Sequence, residues 1–321
     1  MSRQLVQDPG LLAVPTLPLP RISIVTPNYN YGHFLEATLG SVLDQSYPDL
    51  EYIVIDDGST DNSVEVIKRY ESRLAFWRTG ANQGQYKTIT EGMNRATGDV
   101  LGWINSDDMH MPWTLRAVGQ IFSTFPTVEW ITTLSPALWD YDGFCIGLLG
   151  HAGFSREAYL DGLYLTGANI DGQWTCPRPL GFIQQESTFW RRSLWEKTGG
   201  LISTDYGSAG DFDLWGRFFE HTDLVGVAMP LAGFRLQHTQ QTANMSRYSD
   251  SCSRSLKDAR KRAGWGGPRA AVRMAYGLGL PDLPKIRRWT RRSFGYECRI
   301  VSRADSYGPV PRWKLATHPF M

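Results

Sequence analysis

The sequence has few cysteines and no long apolar run, and both absences narrow the class of protein. Four cysteines occur in 321 residues; they are widely spaced and form no Cys-x-x-Cys pair. This argues against a zinc site or a disulfide framework and predicts a protein that resides in a reducing cytosol. No stretch approaches 18 consecutive apolar residues, so we predict no membrane-spanning helix. The N-terminus has no basic head followed by an apolar core, so we also expect no secretory signal.

Several signatures of nucleotide-binding and hydrolytic enzymes are also absent. The chain contains no Gly-x-Gly-x-x-Gly after a strand pattern, no Gly-x-x-x-x-Gly-Lys-[Ser/Thr], no Gly-x-Ser-x-Gly and no His-Glu-x-x-His. These absences argue against the usual dinucleotide-binding fold, P-loop nucleotidases, hydrolases with a nucleophile elbow and zinc proteases of the His-Glu-x-x-His type. Hydrophobic residues make up 42% of the chain, which is typical of a soluble globular protein with one large domain or two modest ones.

Charge is distributed unevenly, although the net charge is only +1. Residues 254–314 contain 16 Lys and Arg against 4 Asp and Glu, whereas the remaining chain contains 17 against 28. Such segregation indicates a basic tail with an anionic partner. Two interpretations stay open: the tail binds an anionic membrane surface, or it is a solvated or core-covering segment.

Residues 21–132 alternate between strand and helix patterns with short connections. We predict strands at 22–27, 51–57, 74–78, 100–104 and 128–132, separated by helices at 33–45, from Ser59 or Thr60 to 71, through 89–96, and at 113–124. This alternation predicts an α/β fold with a mostly parallel central sheet and helices on both faces. Residues 1–20 are expected to form a flexible leader, and residues 246–321 a basic helical C-terminal extension.

Pairs of carboxylates follow two of the predicted strands. Asp56 and Asp57 end one strand, and Asp107 and Asp108 come shortly after another. Ligands bind outside the carboxyl ends of strands in open α/β sheets. Adjacent carboxylates repel each other, and oxygen ligands of this kind suit Mg²⁺ or Mn²⁺. The alternative is that each pair caps the helix that follows it.

A set of short motifs, in a fixed order, resembles the inverting glycosyltransferases of family 2, which have the GT-A fold. The resemblance spans residues 21–245. The matching stretches are Ser23-Ile-Val-Thr-Pro-Asn-Tyr-Asn, Ile55-Asp-Asp-Gly-Ser-Thr-Asp, Asn82-Gln-Gly, Gly92-Met-Asn-Arg-Ala-Thr-Gly-Asp, Asn105-Ser-Asp-Asp, Gly210-Asp-Phe-Asp-Leu-Trp-Gly-Arg and the Arg235–His238 segment. The resemblance implies a Rossmann-like GT-A domain with a nucleotide-binding half at 21–132 and an acceptor-side half at 133–245.

The resemblance also implies which residues hold the donor and a divalent cation. Mn²⁺ or Mg²⁺ would be bound by Asp107, Asp108 and His238, with a structural role left open for the histidine. The sequence departs from the common Asp-x-Asp-Asp pattern, because Asn105 occupies the first position and removes one negative charge. The residues expected to contact the nucleotide sugar are Thr26, Pro27, Asn28, Tyr29, Asp56, Asp57, Asn82, Asn105 and Asp107.

The general base that the acceptor hydroxyl requires matches Asp211, with Asp213 as the second candidate. We expect Asp211 at a helix N-terminus, where the macrodipole favours the charged carboxylate; capping of that helix is the alternative role. The predicted activity is transfer of a sugar from a nucleotide-diphosphate sugar to a hydroxyl acceptor, in cell-surface polysaccharide or glycolipid biosynthesis. The alternative is a catalytically weak nucleotide-sugar-binding partner in a glycan-assembly complex. We expect a cytoplasmic protein, peripheral on the inner face of the membrane if residues 254–314 bind lipid, and no nucleic-acid partner.

Overall fold

The computed structural model describes residues 18–165, 176, 180–237, 245–305 and 312–321. Its strands are β1 (Ile22–Asn28), β2 (Leu50–Asp56), β3 (Phe76–Thr79), β4 (Val100–Trp103), β5 (Met109–His110), β6 (Trp130–Thr133), β7 (Ala137–Trp139), β8 (Cys145–Leu148), β9 (Phe189–Arg191), β10 (Val225–Val227), β11 (Ala232–Arg235), β12 (Tyr296–Asp305) and β13 (Arg312–Phe320). Its α-helices are α1 (Gly32–Leu43), α2 (Ser63–Tyr70), α3 (Gln85–Arg95), α4 (Thr114–Thr124), α5 (Arg156–Leu160), α6 (Arg192–Lys197), α7 (Gly210–Phe219), α8 (Met245–Arg262), α9 (Ala270–Gly277) and α10 (Arg287–Phe294). In these ranges, no helix is long and apolar enough to cross a membrane.

A nine-stranded sheet forms the centre of the fold, in the order β13-β12-β10-β6-β9-β4-β1-β2-β3. Strands β4, β1, β2 and β3 are parallel to one another, and so are β6, β10 and β12. Strand β9 is antiparallel to both β4 and β6 and joins the two parallel groups. The predicted α/β fold with a mostly parallel sheet is therefore confirmed.

The central strands are apolar on both faces because helices cover both sides of the sheet. In β1, Ile24 contributes to one hydrophobic cluster with α1, α2 and α4, and the next residue, Val25, to a second cluster with α3, α7 and α8. In β2, Val54 and Ile55 divide between the clusters in the same way. A strand covered on both faces gives a continuous apolar run rather than an alternating one, which explains why these strands stand out in the sequence.

Stacked tryptophans fix α7 against the central sheet. The Trp215 ring lies 5.7 Å from the rings of both Trp103 in β4 and Trp130 in β6, with interplanar angles of 12° and 29°. Trp190 of β9 contacts Trp215 edge-on at 5.9 Å. These large buried rings hold the first turn of α7 at the carboxyl end of β4.

Residues 133–165 contribute two strands to a smaller second sheet, together with the short helix α5. The second sheet has the order β5-β11-β7-β8, with β11 antiparallel to β5 and parallel to β7. The β7–β8 hairpin exposes Phe144, Ile146 and Leu148. Strand β5 follows the Asp107–Asp108 pair directly and ties that segment to β11.

One local expectation differs from the structure. The helix expected to start at Ser59 or Thr60 begins at Ser63, and the Ser59 hydroxyl instead donates to Asp56. A hydrogen bond from a side chain to a neighbouring carboxylate therefore replaces regular structure at that point. Before β9, a 3-10 turn occupies Gln185–Ser187.

The C-terminal region is helical only in part. Helices α8, α9 and α10 occupy the first portion, but β12 and β13 then pair antiparallel, and β12 pairs parallel with β10. Tyr296 and Phe320 are buried in the hydrophobic cluster that contains α7. The expected all-helical extension is therefore wrong for the last two strands, which extend the central sheet.

Candidate functional site

A cavity of about 570 Å³ opens at the carboxyl ends of β1, β2 and β4. This volume lies in the range of small-molecule sites. Its lining includes eight residues singled out from the sequence, namely Pro27, Asn28, Tyr29, Asp57, Asn82, Asn105, Asp107 and Asp211. Thr26, Asp56 and Asp108 are buried behind this lining. His238 lies outside the described residues.

Asp56 and Asp57 shape the end of the cavity beside β1 and β2, and each holds a different segment in place. Asp57 accepts hydrogen bonds from the backbone N–H groups of Gln83 at 3.0 Å and Gly84 at 2.9 Å, which holds the Asn82 loop over the cavity. Asp56 lies deeper and accepts from Asn28 Nδ2 at 2.8 Å. Asp57 thus positions one loop, and Asp56 positions Asn28.

Burial and hydrogen bonding oppose each other at Asp56. Burial disfavours its charged form, but hydrogen bonds from Ser59, Thr79 and Asn28 together outweigh that effect and lower the pKa of Asp56. Thr26 is placed similarly behind the wall, where its hydroxyl lies 2.8 Å from the Tyr52 hydroxyl. Asp56 and Thr26 therefore support the wall of the cavity from behind and do not themselves line it.

The carboxylate pair after β4 divides between the cavity and the second sheet. Asp107 lines the cavity, and its Oδ2 accepts from Gln237 Nε2 at 2.7 Å. Asp108 is buried, and its Oδ1 accepts from the backbone N–H of Arg235 at 2.9 Å. The Arg235 guanidinium in turn donates to the Asp107 carbonyl at 2.6 Å. Strand β11 therefore fixes the backbone that carries both carboxylates.

Both carboxyls of this pair resist ionisation. Burial raises the pKa of Asp107, against hydrogen bonding from Gln237. Burial also raises the pKa of Asp108, and the negative charges of Asp107 and Glu186 raise it further. A divalent cation beside Asp107 would relieve this repulsion, and carboxylate oxygens are suitable ligands. Among the residues with described positions, no group of three His, Cys, Asp or Glu side chains forms a metal cage.

Amide side chains surround the residue that departs from the acidic pattern. Asn105 Oδ1 accepts from Gln85 Nε2 at 2.9 Å, and Asn105 Nδ2 donates to Gln185 Oε1 at 2.9 Å. Gln185 Nε2 donates to the Trp103 carbonyl at 2.7 Å. An uncharged network therefore occupies the place of the first acidic residue and links β4 to α3 and the segment before β9.

Asp211 also lines the cavity, in the first turn of α7. The Tyr86 hydroxyl lies 3.3 Å from Asp211 Oδ1 and donates to the Ser208 carbonyl at 2.6 Å. The macrodipole argument predicted a favoured charged form, but burial outweighs it and raises the pKa of Asp211 to about 6. The carboxylate still predominates at neutral pH. Asp213 differs, because it points to Arg217 at 2.9 Å and does not line the cavity.

The helix-capping alternatives do not agree with the helix boundaries. The N-cap residues of α2, α4 and α7 are Asn62, Trp113 and Ala209. Asp57 and Asp108 therefore lie five residues before these caps, and Asp211 lies within the helix. None of the carboxylates in question is the N-cap residue of the helix that it was expected to cap.

The lining residues that sequence reasoning did not identify include Tyr86, Glu186 and Tyr248. Glu186 is 2% exposed, and its Oε1 has no hydrogen-bond partner within the described part of the chain. Burial, together with the charges of Asp107 and Asp211, raises the pKa of Glu186. The polar run Gln184-Gln185-Glu186 before the apolar β9 was the available signal. Tyr248 lies on α8, in the region that the sequence assigned to the C-terminal extension.

Comparison with known proteins shows what the N-terminal third of the chain is similar to. Residues 23–128 match glycosyl transferase family 2. An uncharacterized glycosyltransferase of Nostoc sp., alr2836, is 36% identical over 111 residues, which are 34% of each chain. TuaG of Bacillus subtilis, provisionally named a teichuronic acid biosynthesis glycosyltransferase, is 36% identical over 92 residues, covering 28% of this chain and 36% of TuaG. The chain thus spans about a third of the length of these curated relatives.

Solved structures extend the likeness to the overall fold. Glucosyl-3-phosphoglycerate synthase from Mycobacterium tuberculosis, crystallised with Mn²⁺, uridine diphosphate and phosphoglyceric acid, superposes with a TM-score of 0.51. The match covers 94% of this chain and 88% of that chain at 14% sequence identity, a level that supports the fold alone. Residues 23–128 are therefore similar in sequence to glycosyl transferase family 2, and the described chain has the GT-A fold.

Proposed function

We propose that this protein is an inverting glycosyltransferase that moves a sugar from a nucleotide-diphosphate sugar to a hydroxyl acceptor. The observation that carries the proposal is one cavity lined by Asp57, Asp107 and Asp211. The resemblance assigns these three residues to nucleotide binding, cation binding and proton abstraction. A single cavity that brings the three groups together supports one reaction rather than three separate capping roles.

The nucleotide end of the donor would lie between the β1 loop and the Asn82 loop. Pro27, Asn28 and Tyr29 line one wall, and Asp57 and Asn82 line the other. Carboxylate and amide groups provide the hydrogen bonds that a base and ribose need in a cleft. The related synthase structure contains uridine diphosphate, which makes uridine the first base to test.

We propose Mn²⁺ or Mg²⁺ as the cofactor, bound by Asp107 and Asp108 with His238 as a further ligand. The buried carboxylates with raised pKa values fit a hard cation, because it would compensate their charges. The related synthase structure contains Mn²⁺. When bound, such an ion stabilises the negative charge of a leaving diphosphate.

Asp211 would act as the general base. The acceptor oxygen forms a bond to the anomeric carbon as the bond from that carbon to the diphosphate oxygen breaks. The hydroxyl proton passes to the Asp211 carboxylate, and the nucleoside diphosphate leaves with the bonding electron pair. An inverting attack requires the base on the face opposite the leaving group, and we propose that Asp211 occupies that side when the donor is bound at Asp107.

The pH dependence of the rate should reflect the raised pKa of Asp211. We expect kcat/KM to be constant near pH 7–8 and to fall tenfold per pH unit well below pH 6, because protonated Asp211 cannot accept the acceptor proton. Stopped assays of nucleotide release across pH 4.5–8.5, with circular dichroism at each pH, measure this. A rate that does not change between pH 7 and pH 5 would contradict the assignment of Asp211 as the base.

We further propose that the acceptor belongs to cell-surface polysaccharide or glycolipid synthesis and that the protein works in the cytoplasm at the inner membrane face. The provisional name of TuaG supports the first point. The surface of α10 supports the second, because Arg287 and Arg288 are exposed beside Trp289, whose exposed fraction is 55%. A basic helix with an exposed aromatic ring suits an anionic lipid surface.

Neutralising Arg287 and Arg288 together should weaken binding to anionic vesicles about 30-fold at low salt, since each charge near such a surface contributes about 1 kcal/mol. Sedimentation with phosphatidylglycerol vesicles compares the double glutamine variant with wild type. The matched control replaces Lys68 and Arg69, two exposed cations on α2. Equal sedimentation of all three proteins would exclude α10 as a membrane-binding element.

The proposed activity is tested by nucleotide release from UDP-, GDP- and dTDP-sugars with Mn²⁺ or Mg²⁺. Slow hydrolysis of one donor, lost on chelation and accelerated by crude glycolipid acceptors, would support the glycosyltransferase. Tight nucleotide binding with no turnover under any of these conditions would favour the alternative of a nucleotide-sugar-binding partner. The uncharged Asn105 network is the feature that gives this alternative a physical basis.

A further inference from the structure

Glu186 is the one acidic lining residue to which neither the family motifs nor the proposed mechanism gives a task. It lies in the 3-10 turn before β9, lines the cavity and is almost completely buried. Its Oε1 has no partner in the described ranges, although Gln185, the residue before it, is engaged. Gln185 is committed to Asn105 and Trp103. A buried carboxyl oxygen without a partner is costly unless a ligand supplies the missing hydrogen bond.

The acidic neighbours of Glu186 indicate which part of a ligand it would meet. Glu186 lines the same cavity as Asp107 and Asp211, and its carboxyl interacts electrostatically with both. In the proposed reaction, the diphosphate leaves from the Asp107 side and the acceptor is deprotonated on the Asp211 side. The group that must lie between them is the sugar being transferred.

We propose that Glu186 determines donor-sugar specificity by accepting a hydrogen bond from a hydroxyl of the transferred sugar. This inference rests on the proposed function and extends it to the choice of sugar. A site that contains a buried acceptor discriminates strongly against an analogue that lacks the matching hydroxyl, because the acceptor is then left unsatisfied. Glu186 thus acts on sugar recognition, whereas Asp57 and Asn82 act on the nucleotide.

The test compares the wild type with Glu186→Gln and Glu186→Ala. Each protein is assayed with free UDP, UDP-glucose and UDP-galactose. If the donor panel shows that the protein uses GDP- or dTDP-sugars, the corresponding nucleotide and sugars replace them. We expect Glu186→Ala to lower kcat/KM for the preferred donor about 10- to 100-fold, the range for loss of a hydrogen bond to a charged group. Affinity for free UDP should change less than about twofold. The preference between the two epimers should decrease, and a deoxy donor that lacks the contacted hydroxyl should show no further loss in the variant.

The isosteric glutamine variant guards against loss of structure, since it retains an acceptor oxygen and the volume of the side chain. We expect it to fall between wild type and alanine in donor preference. Glu196→Gln, at an exposed glutamate on α6, is the matched control. Equal losses for UDP and UDP-sugar, or an unchanged ranking of donors in both variants, would overturn the role of Glu186. Those results leave wild-type turnover intact, whereas failure of the proposed function would appear as a wild-type protein that releases no nucleotide.

Discussion

Asp211→Asn should reduce sugar transfer by a factor of about 10²–10⁴, the usual contribution of a positioned general base. The amide fills the same space in the first turn of α7 but cannot accept a proton from the acceptor. Binding of the nucleotide should change little, because its contacts are expected at the opposite end of the cavity. Single-turnover rates with a saturating donor, together with calorimetric Kd values for the nucleoside diphosphate, separate the two effects.

Asp213→Asn is the matched control for this prediction. Asp213 lies two residues away on the same helix, but it forms an ion pair with Arg217 and does not line the cavity. We expect its replacement to lower the thermal midpoint while the rate constant stays within a few-fold of wild type. If Asp213→Asn lost more of the rate than Asp211→Asn, the general base would be Asp213 and not Asp211.

Asp107→Ala should lower kcat/KM with a nucleotide-sugar donor about 10³-fold, since removal of one group that stabilises developing charge costs about 3–4 kcal/mol. The same variant should bind Mn²⁺ more weakly than the wild type does. Chelation of the metal should remove most of the activity of the wild-type protein. Electron paramagnetic resonance of free Mn²⁺, titrated with protein and nucleoside diphosphate, measures the metal affinity without requiring turnover.

The control for Asp107 is a carboxylate of the same type away from the cavity. Asp44 at the end of α1 pairs with Arg73 on the surface, and Asp44→Ala should leave Mn²⁺ affinity and activity unchanged. If Asp107→Ala retained wild-type Mn²⁺ affinity in the presence of the nucleotide, the cation would have to be held elsewhere, and the assignment of Asp107 would fail. Loss of affinity without loss of turnover would remove the cation from the proposed chemistry.

The sequence predicted the structure best at positions where the local environment accepts only one type of residue. The mainly apolar runs of β1, β2 and β4 were recognisable because a strand covered on both faces has no alternating solvent-exposed positions. The residues that follow them, such as Asp57 and Asp107, could be placed at one edge of the sheet because parallel strands present their carboxyl ends together. The family motifs then ordered these residues, and the structure brings Asp57, Asp107 and Asp211 to one cavity.

Contacts between distant segments could not be predicted from local patterns. Tyr86 and Asp211 are separated by 125 positions in the chain, and Gln237 and Asp107 by 130. Glu186 gave no periodic signal, since it lies in a 3-10 turn with side-chain contacts rather than in a helix or strand. The last two strands were missed because a basic, Gly- and Pro-containing tail resembles a solvated segment until β10 is available to pair with β12.

The antiparallel strand β9 also has a consequence for how the protein is made. Strand β4 pairs with β9, which is synthesised later. Phe189 of β9 leaves the ribosome about 86 residues after Trp103 of β4. At synthesis rates of about 5–20 residues per second, the nascent chain presents an unpaired apolar strand edge for roughly 4–17 s. Such an edge invites pairing with other chains. The newly made N-terminal half is therefore a natural client for chaperones, and slower translation between codons 104 and 189 should increase its aggregation.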